Sequence, residues 1–169
     1  MAQWIDIKSG VVADTVYADG KLVAKDVAFT LPAVEFVKAT VQAMGNLDVA
    51  LIGLLEHMEL AITKIGVDKG ISRMNKLEKQ NLEFRWVQNV VKADGSTGVE
   101  GCKAFVRTTP SALPELGVEV GSPTEAENTY GVTRMQIYVG GEELVLVDRL
   151  SQILRINGKD YMSAINNLL

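Results

Sequence analysis

One stretch decides the fold: residues 82–108 read LEFRWVQNVVKADGSTGVEGCKAFVRT. Its first part alternates apolar residues such as Leu82 and Phe84 with charged ones, which is the period of a strand that buries one face. The polar, glycine-containing turn over 94–98 follows, and a second apolar run returns over 99–108. Two runs of similar length around such a turn predict an antiparallel hairpin.

The same pattern continues outward from this hairpin. Residues 125–139 and 143–147 flank Gly140-Gly141 and predict a second hairpin, which 153–156 extends. Ala33 to Ala43 alternates like a longer strand. Shorter strands are predicted near the N-terminus, over 11–17, 21–24 and 27–31.

Two short helices complete the prediction. Helical spacing places Ile71, Met74 and Leu77 on one face of a helix near 71–79, and a second helix near 160–168 ends the sequence. We therefore predict a mainly β (α+β) protein: an antiparallel β-barrel or sandwich with long hairpins, in a single domain over 1–169.

The stretch from Leu47 to Ile65 is ambiguous, because some of its apolar residues match helical spacing and others match strand alternation. Periodicity does not decide such a mixed run. We interpret 46–56 as irregular or briefly helical and 57–65 as a strand.

Composition excludes several functions. The chain has 169 residues, a formal net charge of −4 and one cysteine. The charge argues against a protein that binds nucleic acid by neutralising phosphates, and one cysteine excludes an internal disulfide or a multi-cysteine zinc site. The first eight residues lack a signal-peptide pattern, and no apolar run is long enough to span a bilayer, so neither export by that route nor membrane insertion is predicted.

Catalytic signals are nearly absent. His57 is the only histidine, and no motif accompanies it. Cys102 lies within a predicted strand, where a small buried side chain is the usual role. Gly95, Gly98 and Gly101 open no helix, so they do not form a phosphate-binding loop. We predict no enzyme activity, no cofactor and no metal site.

The predicted strands are long for a chain of this size, and some are apolar on both faces. Val37 and Val41, for example, alternate with Val34 and Phe36. A lone subunit would expose such faces and strand edges, whereas a neighbouring copy could cover them. This pattern favours a structural or interaction protein. The basic positions near the first helix could meet an acidic neighbour; they are Lys69, Arg73, Lys76 and Lys79.

The last third carries a family resemblance. The run 135–148, MQIYVGGEELVLVD, leads through 153–160, ILRINGKD, to a short tail that ends in leucines. Near the N-terminus, YADG at 17–20 precedes VAFTLP at 27–32, and GLLEHME follows at 53–59. These segments, in this order, resemble the major tail tube protein of contractile-tailed phages (myoviruses) and R-type bacteriocins.

The resemblance implies a structural subunit. Members of that family form hexameric rings that stack into a hollow tube inside a contractile sheath, and the tube passes DNA and penetrates the target envelope. The implied partners are further copies of the chain, the sheath protein, a baseplate or tube initiator, and DNA held transiently in the lumen. The implied location is the tail of the virion, after synthesis in the cytoplasm of the bacterial host.

The resemblance also assigns candidate residues. The family's loop equivalent to 44–56 reaches the adjacent ring, so an apolar set there is expected to contact a neighbour: Leu47, Val49, Leu51, Ile52, Leu54 and Leu55. A negative lumen wall would repel phosphates and let DNA slide. We expect at least one of four carboxylates to face the lumen: Glu35, Glu59, Glu83 and Glu100.

Two alternatives remain at this point. The tube of an R-type bacteriocin or of a type VI-like secretion system would share the architecture, and the sequence does not separate these from a phage tail. A small ligand-binding β-barrel is a different class, which a pocket with converging polar groups would favour.

Overall fold

The computed structural model describes residues 5–169; residues 1–4, which begin the segment tested for a signal peptide, lie outside the described part. The chain folds mainly into antiparallel strands with two short helices. The elements are β1 (Ile7–Ala18), β2 (Lys21–Lys25), β3 (Ala28–Thr30), β4 (Phe36–Gln42), β5 (Asn46–Leu55), β6 (Glu59–Ile65), α1 (Lys69–Met74), β7 (Gln80–Val91), β8 (Thr97–Pro110), β9 (Glu115–Gly117), β10 (Glu125–Val139), β11 (Glu142–Asp148), β12 (Ile153–Ile156), β13 (Lys159–Asp160) and α2 (Ser163–Asn166).

Both predicted hairpins are confirmed. β7 and β8 pair without irregularity from Gln80 opposite Thr108 to Val91 opposite Thr97. β10 and β11 form the second hairpin, and its turn places Gly140 at a φ of +58°, a conformation that glycine adopts without steric cost. Regular alternation and glycine turns were therefore sufficient to locate the longest strands.

The main sheet follows the order β13-β12-β11-β10-β8-β7-β1-β2. β6 and β9 pair with the N-terminal part of β10, and β3 pairs with β6. β4 and β5 form a separate two-stranded sheet. β10 therefore belongs to both parts of the main sheet.

A β-bulge allows β10 to pair in both parts of the main sheet. The pairing with β8 shifts register between Val132 and Arg134. Before the shift the even-numbered side chains Asn128 and Tyr130 are buried, and after it the odd-numbered Met135 is buried. One extra residue in a strand reverses which side chains face the core.

The core lies between two layers. β3 and β6 cover the inner face of β7, where the rings of Phe29 and Phe84 have centroids 4.6 Å apart. Leu60 and Ile62 of β6 are almost completely buried. The arrangement is a sandwich-like sheet, which confirms the predicted fold class in its sandwich form.

The sheet does not close into a barrel. Within the described residues no ladder joins β2 to β3. Instead, the buried side chain of Lys64 in β6 crosses to β2, with its Nζ 3.3 Å from the Val23 carbonyl oxygen and 2.5 Å from Asp68 Oδ1. Asp68 also caps α1 by accepting from the Gly70 amide.

The interpretation of 46–56 as irregular or helical was wrong, because this segment forms β5. Pairing with β4 supplies its backbone hydrogen bonds. The periodicity of a segment does not predict which strand it pairs with. The predicted strand over 33–43 is correspondingly shorter, since β4 begins at Phe36.

Both helices are shorter than predicted. α1 ends at Met74 because the Asn75 side chain donates to the Ile71 carbonyl at 2.8 Å, and Leu77, predicted to face inward, is exposed. α2 begins only at Ser163, because Asp160 pairs with Arg155 in the β12–β13 ladder. Local hydrogen bonds therefore fix the last residue of α1 and the first residue of α2.

Candidate functional site: an apolar arm and four carboxylates

β4 and β5 form an arm with two different faces. Ala39 lies opposite Val49 and Val41 opposite Leu47, so these four side chains share one apolar face. The other face is polar and internally bonded: Thr40 Oγ1 donates to Asp48 Oδ1 at 2.7 Å, and Gln42 Nε2 donates to Asn46 Oδ1 at 2.6 Å.

The apolar face is uncovered in the described chain. Four of the six residues predicted to contact a neighbour are exposed, and two are half-buried. Leu47 and Val49 are exposed on this face; Ile52 and Leu54 are also exposed, but they lie in the irregular part of the β4–β5 pairing, which does not assign them to it. Leu51 and Leu55 are half-buried, and Leu55 packs against the core. A contiguous apolar face of this kind marks an interaction surface more often than a solvated one.

The six residues predicted to contact a neighbour do not make up the whole of this surface. Val41 lies on the same face, and Met44 at the tip of the arm is fully exposed. The alternation of residues 33–43 already placed Val41 on an apolar strand face, and the β4–β5 register adds that this face continues into Leu47 and Val49.

The root of the arm is held by the C-terminal part of the chain. Arg149 donates to the carbonyl oxygens of Leu55 at 3.1 Å and Glu56 at 3.2 Å. Gly53 takes a φ of +117°, and a Cβ at this position would lie 3.1 Å from Ile165 Cδ1. A cavity of about 480 Å³ lies between this part of β5 and α2.

Two of the four candidate lumen carboxylates point to opposite sides of the same sheet. Glu83 lies opposite Phe105 on the outer face of the sheet. Glu100 lies opposite Gln88 on the inner face, the one that packs against the core farther along β7 and β8. Both are ion-paired: Glu83 with Arg85 at 2.5 Å and Glu100 with Lys8 at 2.9 Å. The hydrogen bond from Lys8 holds the pKa of Glu100 below its usual range.

The other two candidates carry more accessible charge. Glu59 faces outward from β6 with a half-exposed carboxylate, whose one ion-pair contact in the described residues is to His57 at 3.8 Å. Glu35 is exposed at the root of the arm, and its carbonyl oxygen accepts from the Glu56 amide. The structure therefore does not bring the four carboxylates to one surface.

No catalytic arrangement forms around the residues that the sequence offered. Cys102 is 2% exposed, and burial raises the pKa of its thiol, which disfavours the reactive thiolate. His57 is exposed beside Glu59. Among residues 5–169 no cluster of three potential metal ligands occurs. Over the same range, no helix has the length and apolarity to cross a membrane.

Comparison with known proteins identifies a family. Residues 11–169 match the family model described as phage tail tube protein FII. No curated protein matches the sequence.

Proposed function

Because the chain belongs to the phage tail tube protein FII family, we propose that it forms hexameric rings as one domain over 1–169. As a member of this family it is a structural protein of the virion tail, which assembles into a tube and associates with other tail components. The rings stack into a hollow tube within a contractile sheath. The tube passes DNA and penetrates the target envelope. It requires no cofactor and no catalytic site.

The uncovered apolar face of the arm carries this proposal. In a stack of rings, the exposed residues of the arm would contact the next ring and leave water. Burying one leucine or valine side chain contributes about 1.5–3 kcal/mol. Several such side chains per subunit, repeated around a ring, give a cohesive contact.

The outer partners in this proposal are a sheath protein and a baseplate complex that initiates the tube. DNA contacts the lumen transiently and without sequence preference. Of the four candidates, Glu59 and Glu35 best fit an exposed negative wall, because Glu83 and Glu100 are already neutralised by cations.

The tube of an R-type bacteriocin or a type VI-like secretion system would use the same contacts. The ligand-binding alternative has weak support. Two of the three polar side chains beside the cavity at the arm root are engaged: Arg149 bonds the arm carbonyls, and Asp148 accepts from the backbone amides of Leu150 and Ser151, which leaves only Gln152. No converging polar set is left for a ligand.

Electron microscopy of variants tests the assembly. We expect wild-type protein to form rings or tubes of uniform diameter at high concentration, or on a tube initiator. Leu47→Asp with Val49→Asp should raise the required concentration more than about tenfold, since tenfold corresponds to only about 1.4 kcal/mol.

The matched control places two aspartates on the polar face of the same arm, at Gln42 and Ala50. This variant changes the net charge equally and should assemble like wild type. Equal assembly by both variants would refute the contact, and a wild-type chain that forms neither rings nor tubes, with or without an initiator, would refute the function.

A further inference from the structure

A groove on the outer face of the main sheet carries two like charges side by side. Arg107 of β8 lies directly opposite Arg134 of β10. The groove between them and β7 has a volume of about 390 Å³. Like charges directly opposite in a sheet are destabilising, so this pair requires anionic partners.

The chain itself supplies only part of the negative charge that the Arg107–Arg134 pair requires. Arg134 pairs with the buried carboxylate of Asp148 at 3.6 Å. Glu83 also lines the groove, but Arg85 holds it. Arg107 and Lys103, which lie on the same face, take part in no ion pair of the described residues. The buried Nε of Arg107 has no acceptor.

The opposite arrangement occurs on the other layer. Glu115 of β9 lies directly opposite Glu127 of β10, and Glu125 follows on the same face. All three are exposed, and none joins an ion pair within residues 5–169. Glu127 pairs with Thr63 of β6, which is four residues, or about 13 Å, along that strand from the lumen candidate Glu59.

We propose that the Glu115–Glu127 pair of one copy binds the Arg107 groove of a second copy of this chain. The inference rests on the proposed function, because it requires assembly of the chain. Both pairs are cross-strand neighbours with the same separation of about 4.5–5.5 Å between Cβ atoms. The two carboxylates thus meet Arg107, which joins no ion pair of the described residues, and Arg134, whose contact with Asp148 at 3.6 Å is longer than a hydrogen bond. Charged hydrogen bonds of this kind are stronger than neutral ones.

The fold places the two pairs on different sides of the subunit. The bulge in β10 directs Glu127 outward from one layer and Arg134 outward from the other. A contact between two different surfaces is heterologous, and such contacts generate rings or helical stacks instead of closed two-fold dimers.

Charge reversal tests the contact. One variant combines Glu115→Lys with Glu127→Lys, and the other combines Lys103→Glu with Arg107→Glu, which leaves the Arg134–Asp148 pair intact. Each variant alone should require at least about tenfold more protein for assembly, because like charges then meet at every junction. Thermal melting of each variant confirms that the chain still folds.

An equimolar mixture of the two variants should assemble to within about threefold of the wild-type concentration. In the mixture, altered acidic faces meet altered grooves, while the unaltered surfaces meet one another. Assembly of either variant alone at the wild-type concentration would overturn the proposal.

The basic residues around α1 provide the matched comparison. Lys69→Glu with Lys79→Glu reverses two cations outside the groove. If the Glu115→Lys, Glu127→Lys chain is rescued by this variant and not by the groove variant, the acidic pair binds the α1 region and the assignment of the groove is wrong.

Zero-length carbodiimide cross-linking of mixed isotope-labelled and unlabelled Arg107→Lys chains gives an independent readout, because this variant keeps the charge and supplies an amine in the groove. We expect an amide between the introduced lysine of one chain and Glu115 or Glu127 of another; its absence from assembled protein overturns this contact alone. If the chain forms neither rings nor tubes and no link between chains, the proposed function fails as well. Tubes formed normally by the reversal variants would defeat only the contact.

Discussion

The ammonium nitrogen of Lys64 lies 2.5 Å from the Asp68 carboxylate, with 8% of the lysine side chain exposed and 59% of the aspartate. The same ammonium donates to the Val23 carbonyl, so it connects β6 to β2 where no strand pairing closes the sheet. The hydrogen bond from Lys64 is the main reason that the pKa of Asp68 is lowered.

Replacing this carboxylate should destabilise the fold. Asp68→Ala leaves a buried ammonium with one acceptor and removes the cap of α1, so the free energy of unfolding should fall by about 2 kcal/mol. Urea denaturation measures the loss. Asp68→Asn keeps an oxygen for the Gly70 amide and should lose less; equal losses would show that the charge facing Lys64 alone matters and that the cap contributes nothing.

Tyr130 joins α1 to β10. Its buried hydroxyl donates to the Met74 carbonyl at 2.9 Å and accepts from Asn128 Nδ2 at 3.0 Å. Tyr130→Phe should lower the free energy of unfolding by about 1–2 kcal/mol, because the Met74 carbonyl is left unpaired. Tyr161→Phe, at a residue that is 40% exposed and whose hydroxyl takes part in no hydrogen bond of the described residues, is the control and should change stability little.

Ionisation of Tyr130 should also lower the free energy of unfolding at alkaline pH. Burial raises the pKa of Tyr130 to about 12, from an ordinary value of 10.0. A raised pKa in the folded state gives a contribution that is complete below the ordinary value and is lost as pH rises toward the higher one. Wild-type protein should therefore lose more stability than Tyr130→Phe over this range. Parallel alkaline curves would contradict this.

Gly53 at the arm root should tolerate no side chain. Gly53→Ala strains a backbone φ of +117° and brings a Cβ against Met162 and Ile165 of the C-terminal segment. Gly45→Ala imposes similar strain at +122°, with no atom within 4 Å. The methyl signals of Ile165 in NMR spectra should shift in the first variant and not in the second. Unchanged signals in both would mean that the C-terminal segment does not hold the arm.

Glu143 should contribute to stability only while it is ionised. Arg155 donates to both of its oxygens, at 2.6 and 3.1 Å, and this bonding holds the pKa of Glu143 below its ordinary 4.5. A lowered folded-state pKa gives a contribution that is complete above the ordinary value and is lost as pH falls through the lower one.

Glu143→Gln should therefore reduce the free energy of unfolding by about 1 kcal/mol at neutral pH and flatten its decline in acid. The adjacent Glu142→Gln, at an exposed position, should leave both unchanged. Chemical denaturation at several pH values measures this difference, and identical acid profiles for the two variants would contradict the role of Arg155.

The sequence was most informative where a segment has one buried face. Leu82 and Phe84 alternate with charged residues because β7 lies against the core on one side only. The arm does not follow this rule, because Leu47 and Val49 alternate with polar residues and are nevertheless exposed in the described chain.

Charge was the least predictable property. Glu83 and Glu100 were both candidates for the lumen, and only the pairing register shows that they lie on opposite faces of the sheet. The Arg107–Arg134 and Glu115–Glu127 pairs join residues from different strands, so only the ladders reveal that like charges are adjacent.

β10 determines how the subunit carries mechanical load. Its 15 residues are bonded to β6, β8, β9 and β11. Because ladder hydrogen bonds lie across the strand, a force along its axis shears many bonds together and does not peel them one by one. A force along β10 should therefore be shared between both layers, and we expect the strand to yield first beside Thr133, where its pairing with β8 shifts register.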